Sequence, residues 1–264
     1  MSNAAMLFTG ADVVSWAGTV VWPFTRIAAM LVIAPIFGAR VVPLRVRLIV
    51  ALLLTWVVLP LIPRVPVIDP LSAASVLVTA QQILIGLAIG FSLQLVLTTL
   101  VIAGQTIAMG MGLGFAQMVD PQNGVSVPVI GQYYLIMATL LFLALNGHLA
   151  LLHVLVDSFH SVPIGIDALS RDDFRAIAYW GVRMFGDAVM VALPAVASIL
   201  LVNISFGVVS RSAPQLNIFG VGFPVTLTLG FVVLIYALSS LLPELRQMLD
   251  EGLLAAASLG AGSH

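Results

Sequence analysis

The sequence predicts an all-α fold: a strongly hydrophobic, membrane-derived multi-helix subunit with kinked helices and a Gly/Met-rich inter-helix loop. Three observations carry this expectation. Hydrophobic side chains fill 61% of 264 positions and charged ones 8%, with a mean hydropathy of +1.16, a balance outside that of soluble domains. Six apolar windows, roughly 13–36, 48–63, 76–103, 129–156, 186–210 and 218–242, compare with the ~20 residues a helix needs to cross a hydrocarbon core. Proline and glycine recur inside these windows, which membrane helices tolerate only where neighbours re-satisfy the freed backbone groups.

The windows differ in what they carry. No basic stretch precedes the first (MSNAAMLFTGADVVSW), so a cleaved signal is not expected and 13–36 should remain in the mature chain. Within it Pro23 and Pro35 kink the helix, and Arg26 has no local counter-charge. A charge there should face protein, a carbonyl array or a water-filled space. The second window is short and ends at Pro60 and Pro63.

The third window holds Gly86 and Gly90 in GLAIG, a spacing that lets another helix approach closely, although glycine also drifts in membrane helices without that role. After the fourth window the charged stretch 157–176 reads as an exposed loop. Arg183 and Asp187 lie four apart on one helical face at the start of the fifth window, fit to neutralise each other as a structural pair near a helix end or a functional one. Pro194 interrupts the fifth window, and Gly222 and Pro224 open the sixth. Residues 243–257 place Leu245, Met248, Leu249 and Leu253 at helical spacing, the pattern of a short amphipathic helix lying on a membrane surface or a partner. No repeat or low-complexity linker divides the chain, so residues 1–264 are expected to form a single domain.

Several function classes drop out. Cysteine is absent and the net charge is −1, which removes thiolate chemistry and argues against nucleic acid. Asn146, His148, His153 and Asp157 cluster, but the two histidines fall about 140° apart on a helix. His153 and Asp157 share a face, which a hydrogen-bonded pair explains as well, and no metal site is assigned. MGMGLGF contains GxGxG, yet a P-loop needs its lysine and the chain has none. Neither catalytic residues nor a cofactor is assigned. The arginines do not orient the chain: Arg40, Arg45, Arg47 and Arg211 fall on one side of a six-span arrangement, and Arg64, Arg171, Arg175 and Arg246 on the other. That tie is unusual under the positive-inside rule and permits a mature protein held in the membrane in an uncommon way.

Residues 109–124, MGMGLGFAQMVDPQNG, alternate glycine with bulky apolar side chains and then turn polar. Glycine permits φ > 0 and close backbone approach, and methionine packs against changing shapes. Together they suit a surface that seals and then yields. Plug, pore lining and packed re-entrant connector all remain open on these residues alone.

Four segments in order, RIAAMLVIAPIFGARVVPLRVR, GMGLGFAQMVDPQNG, LFLALNGHLALLHVLVDSF and LVNISFGVVSRSAPQLNIFGVGFP, resemble the FliR family of the flagellar type III export gate. The resemblance spans most of residues 20–240. It implies a non-enzymatic subunit that assembles with FliP-like and FliQ-like subunits into a closed helical ring, one FliR copy completing it, with FlhB-like and FlhA-like export components associated. Unfolded flagellar export substrates would pass through that ring, driven by the proton-motive force and a cytoplasmic ATPase complex. The implied location is the bacterial inner (cytoplasmic) membrane, in contact with lipid, within the flagellar basal body, the core displaced toward the periplasm.

At the matching positions the resemblance makes Gly110–Asp120 a channel plug below a methionine ring of FliP-like subunits. Met109, Met111, Leu113, Phe115 and Met118 would supply sealing bulk, and Gly110, Gly112 and Gly114 flexibility; Gln117 and Asp120 lie in the same loop. The equivalent injectisome export-apparatus subunit would look similar. A small-solute transporter, with Arg26 in a midplane site, is the other alternative, though no strong inverted repeat supports it.

Overall fold

The computed structural model describes residues 10–63, 65–66, 68–69, 72–114, 117–119, 126–165, 169–212 and 222–259. They form α1 (Gly10–Ile33), α2 (Leu44–Val58), α3 (Ala73–Gly110), β1 (Gln117–Val119), β2 (Ser126–Pro128), α4 (Val129–Ala144), α5 (Gly147–Ser161), α6 (Arg171–Ser212) and α7 (Phe223–Ala257). The all-α expectation holds, with one addition: β1, inside the Gly/Met-rich stretch, pairs antiparallel with β2 just beyond it, Met118 opposite Val127. Among the described residues four helical segments are long and apolar enough to cross a membrane, or five if α4 and α5 count as one broken span.

Three boundaries differ from the sequence expectation. The fourth window is two helices, because Asn146 takes φ 58°, a left-handed conformation that asparagine tolerates better than most residues, and a Cβ at Gly147 would strike the Phe142 ring. The supposed loop 157–176 is largely helix at both ends. Ser170 and Asp173 start α6 with a reciprocal cap: the Asp173 N–H donates to Ser170 Oγ at 3.3 Å, and the Ser170 N–H donates to Asp173 Oδ2 at 2.7 Å.

The tail is not a separate helix. α7 runs through Pro243 to Ala257, and Leu241, Leu245 and Leu249 are 2%, 0% and 4% exposed. Burying three leucines at roughly 1.5–3 kcal/mol each outweighs the ~3 kcal/mol cost of an interior proline. The leucine stripe therefore packs within the chain instead of waiting for a membrane or partner.

The chain divides into two compact units, each assembled from separated segments: Met1–Gln94, His148–Ala178 and Leu253–His264 in the first, Leu95–Gly147 and Tyr179–Gly252 in the second. In the first unit α1 lies backbone to backbone on α3. A Cβ at Gly86 would strike the Arg26 carbonyl oxygen, and one at Gly90 would come within 2.7 Å of the Met30 carbonyl oxygen. The turn from α1 to α2 is tight: Ile36 has φ 69°, and the Phe37 N–H donates to the Pro35 carbonyl at 2.8 Å. Arg47 Nη2 holds that turn, donating to the Gly38 and Ala39 carbonyls at 3.2 and 2.7 Å.

In the second unit the end of α3 meets α4 at another glycine pair. A Cβ on Gly104 would lie 3.0 Å from Gly131 Cα, and one on Gly131 would lie 2.9 Å from Gln105 Cγ.

Candidate functional site

The Gly/Met segment begins where α3 stops, and its first residues explain the stop. The Gly112 N–H donates to the Met109 carbonyl at 3.1 Å and the Leu113 N–H to the Ala108 carbonyl at 2.9 Å, the bond pattern of a Schellman cap. Gly112 has φ 77°, a left-handed value that is costly for residues with a Cβ. A Cβ there would also lie 3.1 Å from the Phe223 ring.

The bulky residues of this segment do not act alike. Met111 is fully buried: a Cβ at Gly230 of α7 would come within 2.6 Å of Met111 Cε and 2.7 Å of its Cγ. This methionine packs inside its own unit. Met109 is 64% exposed, and its Cγ lies 3.6 Å from where a Gly114 Cβ would be. Gly110 faces Ile199 of α6 with room for a Cβ at 3.8 Å. Leu113 is half-buried. Gln117 and Met118 fall in β1, and Phe115 and Asp120 lie outside the described residues.

Arg26 occupies a different place, in the first unit. It is fully buried and donates from Nε to Gln82 Oε1 at 2.8 Å, from Nη1 to the Ser158 carbonyl and Oγ at 2.7 and 3.1 Å, and from Nη2 to the Val162 carbonyl at 2.9 Å. Its guanidinium carbon also lies 4.3 Å from the centre of the Phe159 ring. Of the three environments expected for this charge, the structure provides the carbonyl array: Ser158 and Val162 sit at the C-terminus of α5, where the helix dipole favours a cation, and the Ser158 carbonyl accepts from the Val162 N–H at 3.0 Å as well as from Arg26. Among the described residues no carboxylate lies within ion-pair distance of it.

Arg183 and Asp187 are in the second unit, and Arg183 takes another partner. Its Nη2 contacts Glu251 Oε2 at 2.7 Å, with side chains 38% and 31% exposed. Glu251 also accepts from Gln247 Nε2 at 3.0 Å. The partner comes from α7 because α7 continues past Pro243. Asp187 instead lines an open cavity of about 230 Å³ with Arg183, Met190, Glu244 and Gln247. Gln82, Ser158, Phe159, Glu251 and Phe223 are site residues without a local signal in the sequence.

The model of the family described as bacterial export proteins, family 1, matches residues 17–252. The flagellar biosynthetic protein FliR of Escherichia coli K12 is 38% identical over 239 residues, 90% of each chain. Its counterpart in Pectobacterium carotovorum is 39% identical over 231 residues, 87% of each. That of Bacillus subtilis is 32% identical over 229 residues, 85% of this chain and 88% of the relative.

Proposed function

Because the chain belongs to the flagellar FliR family of bacterial export proteins, we propose that it forms, with FliP-like and FliQ-like subunits, the channel through which the flagellar type III export gate passes unfolded flagellar proteins. FlhB-like and FlhA-like components are its further partners. Its role is structural and no chemical step is assigned to it. The observation that carries the assembly reading is the exposure of its apolar helices. The apolar windows of α6 and α7 are only 17% and 22% buried by the chain itself. Partners and lipid are the surfaces that can cover them.

Length supports the same reading. α6 has 42 residues, about 63 Å at 1.5 Å per residue, twice the ~30 Å thickness of a hydrocarbon core. A helix of that length fits a core that rises out of the inner membrane toward the periplasm.

Within the gate we assign the plug to the segment that leaves α3 at Gly112, with Met109 exposed at its base. Arg26 supports the fold of the first unit, and Gly86 and Gly90 set its helix packing. Co-expression with FliP-like and FliQ-like subunits, purification in mild detergent and native mass measurement test the assembly. A complex containing all three chains is expected, and a chain that remains alone would overturn the reading.

A further inference from the structure

We propose that α7 latches the base of the plug, so that opening the channel requires the first two turns of α7 to release the end of α3. This inference rests on the plug assignment and adds the element that controls it. Two consecutive residues of the α3 terminus meet α7: Met111, buried, lies on the backbone at Gly230, and Gly112, exposed, has the ring of Phe223 on one side. Phe223 and Gly230 are seven positions apart, two helical turns, and so share one face of α7.

The grip coincides with the pivot. Gly112 is where the chain turns out of α3, at φ 77°, so the outgoing segment leaves from an exposed residue that has the Phe223 ring on one side. Met111 is fully buried while Met109, two positions earlier, is 64% exposed, which places the fixed side of the pivot on α7. In this arrangement Gly230 makes room for the Met111 thioether: a Cβ would meet its Cγ, Sδ and Cε at 2.7, 2.9 and 2.6 Å, so the methionine would have to move.

The chain has no cysteine, so a disulfide trap is clean. The 2.7 Å separation between a Gly230 Cβ and Met111 Cγ brings the two Cβ atoms within about 4 Å, the span of a disulfide. The test uses membrane vesicles carrying the assembled gate with Met111→Cys and Gly230→Cys, with cross-linking read on a non-reducing gel. Oxidation is expected to abolish export while ion conductance stays low, and reduction to restore export. Undiminished export by the cross-linked chain would overturn the latch. Phe223→Ala provides the second arm: assembly should persist and resting conductance should rise, and a gate as tight as the unmodified one would also count against the latch. Deletion of residues 114–119 in parallel separates the two ideas. A deletion that does not leak removes the plug assignment itself, whereas a leaking deletion with a harmless cross-link removes only the latch.

Discussion

Arg26 donates from Nη2 to the main-chain carbonyl of Val162 at 2.9 Å, so a charge in α1 finishes the C-terminus of α5. The fork reaches Gln82 and Ser158 at the same time, a set of contacts that the planar guanidinium makes and an ammonium does not. Arg26→Ala leaves Gln82 Oε1 and the Val162 carbonyl without this donor in a buried site and should cost about 1–3 kcal/mol for each acceptor left unsatisfied. Arg26→Lys should recover only part. Thermal unfolding in detergent and the yield of assembled complex are both expected to fall. Normal melting and assembly with failed export would move Arg26 from architecture to transport.

Glycines in this chain separate by what surrounds them. A Cβ at Gly86 meets a backbone oxygen, whereas at Gly181 and Gly186 in α6 nothing among the described residues lies within 4 Å. Gly86→Ala should therefore push α1 from α3 and cost about 1–3 kcal/mol, the range of overpacking. Gly186→Ala should stabilise the isolated chain by about 0.5–1 kcal/mol through helix propensity. Melting of the two variants side by side checks both signs.

The Arg183–Glu251 pair is close to one-third exposed on both sides, which limits its contribution to about 0.2–1 kcal/mol. Glu251→Gln should lower the melting temperature slightly. Asp187→Asn should leave it unchanged in the isolated chain, because Asp187 is not the partner of Arg183. A larger fall for Asp187→Asn than for Glu251→Gln would reverse this assignment.

Leu249 is 4% exposed, in the stripe that sequence spacing assigns to a free amphipathic helix. Leu249→Asp should destabilise the chain by more than about 3 kcal/mol, since it buries a carboxylate without a partner. Loss of folded protein is the expected result in detergent. A folded variant that only loses a partner would restore the docking role.

What the sequence makes legible follows the range of each interaction. Gly112 is readable because a left-handed cap is a local demand and GMGLG supplies glycine where it falls. Asn146–Gly147 is a local turn signal too, yet the apolar run on both sides hides it when the window is scored by hydropathy alone. Arg26 is readable as a charge needing an unusual environment, but Gln82 is 56 positions away and Ser158 132 away, so its partners are set by tertiary packing. The same holds for Glu251, 68 positions from Arg183. The split between Met109 and Met111 depends on which side of the last α3 turn meets α7, and alternation of residue types does not contain that information.

The plug itself gives the last prediction, and the structure sets where to cut. A deletion beginning at Gly110 would remove Met111, a core residue, and would confuse unfolding with unsealing. Removing residues 114–119 leaves the α3 cap and its anchor in place, so assembly should persist while small ions leak. At the hinge, Gly112→Val places a Cβ on a backbone at φ 77°, a penalty of roughly 1–2 kcal/mol on the closed conformation, and the Phe223 ring adds to it. Resting conductance should therefore rise in that variant. A Cβ at Gly114 meets nothing closer than Met109 Cγ at 3.6 Å among the described residues, so Gly114→Val should stay tight. Conductance and secretion measured in the same cells distinguish these outcomes. If the deletion instead abolishes the complex, residues 114–119 are a structural connector between α3 and α4, and the seal must be sought elsewhere in the gate.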